Sequence, residues 1–157
     1  MSEFPCDEFR PETARLDVTR GRLVHHDKPA ILVVDGSAAW RIKIAQCLEN
    51  IGWRVFLAPD GGRGIELFRA ADDAVAAAIL DYHLPDLDGY RVLFELRRIR
   101  AGLPVVICAN HDANELSKRY PDESIVYCLP KPFTCDQLAT AIRAAGCRRR
   151  GHVRRPA

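Results

Sequence analysis

The chain has 157 residues, 48% of them hydrophobic and 28% charged, which supplies one sizeable core and is too short for two ordinary domains side by side. No apolar run approaches the roughly 18 residues that cross a bilayer, and the amino terminus, MSEFPCDEFRPETARLD, has acids and prolines where a secretory leader needs a basic start, so a membrane span is excluded and a cytoplasmic protein is expected. The formal charge is +2, yet the last eleven residues, CRRRGHVRRPA, hold five arginines and no acid, leaving the rest of the chain at about −3.

Residues 1–28 mix charges, prolines and isolated phenylalanines without a sustained period and read as a polar extension. From Ala30 the pattern changes. AILVVD is a continuous apolar run ending in an acid, as expected of a strand buried on both faces of a parallel sheet. Ser37 offers an N-cap for a helix with Ala38, Ile42, Ala45 and Leu48 inward and Gly52 as its left-handed stop. WRVFLA is a second strand. Asp60 caps a glycine-loosened helix, GGRGIELFRA, with Ile65, Leu67 and Phe68 as its apolar members. That glycine cluster lacks both the Gly-Lys-Ser/Thr ending of a phosphate loop and a GxGxxG fingerprint, which argues against nucleotide binding.

VAAAILD is the third strand, and DGYRVLFELRRIR the third helix, with Val92, Leu93, Leu96 and Ile99 inward and its arginines outward. PVVICA is the fourth strand, HDANELSKRY a short polar fourth helix, and SIVYCL the fifth strand. TCDQLATAIRAAG closes the domain as a helix capped by Thr134, with Leu138, Ala141, Ile142 and Ala145 inward. Five strands alternating with five helices specify a doubly wound α/β domain, a five-stranded parallel sheet of flavodoxin-like order 2-1-3-4-5, over residues 29–146, followed by a basic tail at 147–157. The cysteines, Cys6, Cys47, Cys108, Cys128, Cys135 and Cys147, form no CxxC pair. Neither zinc nor a disulfide framework is expected; most are read as small buried hydrophobes, with Cys6 and Cys147 exposed.

In this topology the ends of strands one and three meet at the switch point where doubly wound sheets bind ligands. Asp35 and Asp81 end on that rim, and Lys131 follows strand five in LPKPF. Two carboxylates beside one ammonium suit a hard divalent cation and a phosphoryl group, with one carboxylate as nucleophile.

ILVVD, LDYHLPDLDG, PVVICAN and LPKPF together resemble the four landmarks of the response-regulator receiver family, the CheY-like superfamily, over residues 29–146. The resemblance implies that Asp81 accepts a phosphoryl group from a phosphohistidine on a sensor histidine kinase or a histidine phosphotransfer protein, aided by Mg2+. Lys131 would contact the phosphoryl oxygens. Asp35, Asp81 and the backbone carbonyl of His83 would hold the metal; the His83 side chain is expected to face solvent. Pro85 would give a rigid turn and Gly89 a backbone bend before helix three.

Three positions depart from the family. The second acid after strand one is Gly36, so the metal site loses a carboxylate and its affinity should fall. The hydroxyl residue that ends strand four is Ala109, with Asn110 next to it as an alternative donor. The aromatic three residues before the lysine is Cys128, with Tyr127 displaced onto the other face.

The leading expectation is therefore an atypical stand-alone response regulator, with no DNA-binding output domain encoded after Gly146, signalling through a partner or a homodimer. It is not an enzyme beyond slow self-dephosphorylation. A second reading, from a different class, is a pseudo-receiver that binds protein partners independently of phosphorylation. A third assigns the arginine tail to a nucleic acid, an anionic membrane or an acidic partner, against the simpler view of a solvated end.

Overall fold

A computed structural model of the protein describes residues 29–110 and 126–146. The N-terminal extension, the polar fourth helix and the arginine tail expected from the sequence, with Cys6 and Cys147, lie outside the described residues.

Five strands, β1 (Ala30–Val34), β2 (Arg54–Ala58), β3 (Val75–Asp81), β4 (Val105–Ala109) and β5 (Val126–Pro130), form one sheet in the order β2-β1-β3-β4-β5. Every pairing is parallel. Among the described residues four helices connect or follow them: α1 (Ala38–Asn50), α2 (Gly61–Ala71), α3 (Gly89–Ile99) and α4 (Cys135–Ala144), with a 3-10 turn at Asp72–Ala74 before β3. This is the order expected, and its cause is visible in β1, where all five residues are buried. Alternate side chains serve opposite faces. Ile31 and Val33 join Ile44, Leu48, Leu138 and Ile142 under α1 and α4; Leu32 and Val34 join Phe68, Val92 and Leu96 under α2 and α3.

The expected caps hold. Ser37, Asp60 and Thr134 each accept a backbone N–H at the start of their helices, and Thr134 forms a reciprocal capping box with Gln137. Gly52, at φ 90°, takes the left-handed turn after α1. Gly64 serves close approach instead: a Cβ there would lie 2.6 Å from Val34, so α2 can sit on β1 only without one.

Three expectations are corrected. In α1 the buried stripe is Ile44, Ala45, Cys47 and Leu48, while Ile42 is 57% exposed and Ala38 is exposed. Both stripes obey helical spacing, and the direction in which β1 delivers the chain selects the second. In α3, Arg97 folds inward so that its Nη2 donates to Leu103 O; beyond the helix, Arg100 donates to the carbonyls of Asp72 and Val75 and stacks over Phe68, so these arginines are not all outward. Cys47 and Cys135 form a disulfide between α1 and α4, with Cα atoms 5.3 Å apart. Cys108, buried, and Cys128, half-buried, take part in no disulfide, as small hydrophobes should.

Candidate functional site

The sheet brings three sequence-distant residues together at the C-terminal rim of its strands. Asp35 follows β1, and its N–H continues the ladder to Ala58 O at 3.1 Å. Asp81 is the last residue of β3, aligned with Cys108 of β4. Lys131 follows β5, and its N–H donates to Ala109 O at 2.8 Å, which fixes its backbone beside the end of β4.

Asp35 is 1% exposed, and a carboxylate so buried needs partners for its charge. It has them: Oδ2 accepts from Lys131 Nζ at 2.8 Å and Oδ1 from the Ser37 N–H at 2.8 Å. Arg41 Nη1 donates to its backbone carbonyl at 2.6 Å. Lys131 Nζ also lies 3.5 Å from Asp81 Oδ1, so one ammonium bridges both carboxylates. Asp81 accepts a longer bond, 3.4 Å, from the His83 N–H. Burial and the negative charge of Asp35 hold the Asp81 carboxyl above the usual carboxylate range, against the opposing pull of Lys131 and the His83 N–H.

That imbalance bears on a cation. Two carboxylates and one ammonium leave net negative charge, and Asp35, Asp81 and the His83 carbonyl offer only hard oxygen donors, which fit Mg2+. Gly36 adds none. Among the described residues no group of three or more His, Cys, Asp or Glu could hold a metal, so water would have to complete the shell. A Cβ at Gly36 would lie 3.3 Å from Pro85 Cδ, a close fit against the turn that follows Asp81. The His83 ring is on an exposed residue and lies T-shaped to the Tyr82 ring, with centroids 4.8 Å apart.

The departures also have places. Ala109 is buried at the end of β4 and presents a methyl group where a hydroxyl would be needed; Asn110 beside it is exposed. Cys128, in register with Ile107, packs partly buried against the α2/α3 core, whereas Tyr127 is exposed.

Three features of the neighbourhood were not singled out from the sequence, and Gly89, which was, has a role other than the bend expected of it. Trp40, on the first turn of α1, lies over Lys131 and against Phe133. Asp86, two residues before Asp88 in the LPDLDG segment, accepts from the N–H groups of Gly61 and Gly62, both at 2.8 Å, tying the loop after Asp81 to the start of α2. Slight burial pushes its carboxyl up, and the N–H donors of Gly62, Gly61, Asp86 and Leu87 outweigh that and hold it below the usual range. Gly89 serves proximity, not a special bend: a Cβ there would lie 2.7 Å from Asp81 O, and its N–H donates to Tyr82 O at 2.8 Å. The third unexpected feature is the disulfide. Phe133 stands two residues past Lys131 in LPKPF and was open to notice; Trp40 gave no local signal.

The family model described as "Response regulator receiver domain" matches residues 31–143. The chain is 34% identical over 114 residues to the response regulator MprA of Mycolicibacterium vanbaalenii, covering 73% of this chain and 48% of that protein. It thus spans about half the length of the curated relatives it matches. Among solved structures, a response regulator receiver domain protein from Clostridium thermocellum superimposes with a TM-score of 0.68 at 27% identity, covering 74% of this chain and 93% of the other. Chemotaxis protein CheY4 of Vibrio cholerae, at 20% identity, a TM-score of 0.69 and coverage of 75% and 98%, shares the fold.

Proposed function

The chain belongs to the response regulator receiver family, and from that membership we propose that Asp81 accepts a phosphoryl group from a phosphohistidine of a sensor kinase or phosphotransfer protein. The observation that carries this reading is the bridge of Lys131 between Asp35 and Asp81, 2.8 and 3.5 Å from their oxygens. An Asp81 oxygen forms a bond to phosphorus, the P–N bond of the donor breaks, and the donor imidazole keeps the electron pair. Lys131 is placed to turn its ammonium to a phosphoryl oxygen as negative charge accumulates. Asp35, 2.8 Å from the ammonium, keeps the lysine aimed. Mg2+ held by Asp81, the His83 carbonyl and, through water, Asp35 would supply charge neutralisation between carboxylate and phosphoryl oxygens. The missing acid at Gly36 makes that metal weakly held. Turnover is limited to slow hydrolysis of the acyl phosphate.

Intact-protein mass tests this directly. With acetyl phosphate and Mg2+ the protein should gain one phosphoryl group, and Asp81→Asn should gain none; a wild-type mass that never changes with either acetyl phosphate or a phosphohistidine donor would overturn the assignment.

The methyl of Ala109 and the half-buried Cys128 favour a second reading, a receiver fold used as a binding module regardless of phosphorylation. A hydrogen bond to a charged group contributes about 1.5–3 kcal/mol, the size of a typical allosteric coupling. Without that bond, output through β4 and β5 is weak. If Asp81→Asn leaves partner binding and signalling intact in cells, the second reading stands, whatever the mass test gives; loss of both on Asp81→Asn overturns it.

A further inference from the structure

Lys131 is held by more than its carboxylates. Its Nζ lies 5.0 Å from the centroid of the Trp40 ring, and that ring is 4.9 Å from the ring of Phe133. Phe133 is buried in the α1/α4 core, and Trp40 packs partly buried against the same core. Lys43 brings a second ammonium within 4.7 Å of the Trp40 centroid. The negative face of an indole attracts an ammonium, and the attraction strengthens as water is excluded. The Lys131 side chain is 5% exposed, so its contact is of the desolvated kind. A lysine has a flexible stem and no planar fork, so what packs on it decides where its charge rests.

We propose that Trp40 is the positioning residue for Lys131, seating the ammonium between Asp35 and Asp81 and transmitting its displacement to α1. The proposal rests on the acceptor reading of Asp81 and adds the route of the signal. A phosphoryl group on Asp81 draws Lys131 toward its oxygens. The Trp40 ring, packed on the lysine, follows, and with it the Phe133 ring packed on Trp40. The first turn of α1 and the segment before α4 then respond, although Ala109 offers no hydroxyl and Cys128 no aromatic ring.

The chain holds two tryptophans, so Trp53→Phe leaves Trp40 as the single indole. In that background Lys131→Met should shift Trp40 emission, and beryllofluoride with Mg2+, a phosphoryl mimic, should change it only while Lys131 and Asp81 are both present. Identical emission in the Lys131 and Lys131→Met proteins overturns the proposal. In a second arm, Trp40→Leu should slow phosphoryl uptake from acetyl phosphate roughly 3- to 10-fold, and Trp40→Phe, which keeps a π face, should recover most of the rate. Equal rates for Trp40, Trp40→Leu and Trp40→Phe also overturn it. A wild-type protein that gains no phosphoryl mass overturns the acceptor reading instead, and the Lys131→Met emission comparison still decides the role of Trp40.

Discussion

Asp81 carries an electrostatic cost in the folded protein. Burial and the neighbouring Asp35 charge raise its carboxyl above the unfolded value. Between the unfolded and folded values the native state therefore binds more protons, so stability falls as pH rises through that window and is lowest, for this group, once Asp81 is fully ionised. Asp81→Asn should accordingly raise the thermal unfolding midpoint by a few degrees at neutral pH without metal. The gain should disappear as pH falls below the ordinary carboxylate range, where Asp81 is protonated in both states. Thermal scans of both proteins across pH, with a chelator present, check the sign; a midpoint lowered by Asp81→Asn at neutral pH contradicts it. Cys108 lies on the other side of the ledger of buried groups: burial pushes its thiol up, so it stays protonated and inert beside the site. Asp35, Asp81 and Lys131 were legible in sequence because each stands at or just past the C-terminal end of a strand. Trp40 was not, since nothing local says that a helix-one aromatic meets a residue 91 positions later.

At the scale of elements, two acids cap α2. Asp60 accepts from Arg63 N–H at 2.7 Å in the ordinary way, while Asp86 reaches across from the β3–α3 loop to the first two N–H groups of the helix. The second cap joins α2 to the loop that carries the His83 carbonyl. Asp86→Ala should cost about 1 kcal/mol, the usual loss for an N-cap, and should loosen that loop. Denaturant unfolding gives the first quantity and amide hydrogen exchange over 82–88 the second; Asp86→Asn, which keeps one acceptor, should lose less. Loss confined to global stability, with no faster exchange in the loop, would deny Asp86 its bridging part. The strands themselves could be placed from the sequence because burial on both faces leaves apolar runs such as AILVV and VAAAILD. The α1 stripe could not, because Ile42 and Ile44 both fit a helical period and only packing separates them.

Across the whole molecule, α1 and α4 lie side by side on one face of the sheet, and that adjacency alone makes neighbours of Cys47 and Cys135, 88 residues apart in sequence. Spacing could not reveal the pair. Sheet order could be inferred from alternation and right-handed crossovers, whereas a cross-link depends on which helices share a face and on their rotation. In the chain-entropy model a loop of that length gains about 4–5 kcal/mol of stability from closure. Thermal unfolding with and without a dithiol reductant should show a clear drop in midpoint on reduction, and Cys47→Ala should remove the sensitivity. An unchanged midpoint on verified reduction would mean that the bond contributes nothing to stability.

The same bond turns most of the domain into a covalent ring. β2, β3, β4 and β5, with α2 and α3, lie inside the closed loop, and β1 enters from outside it. A protease that cuts one peptide bond within the ring opens it without releasing a fragment. Such a nicked protein keeps its mass, gaining only the water of hydrolysis, and its two pieces stay tethered until the sulfur bridge is reduced.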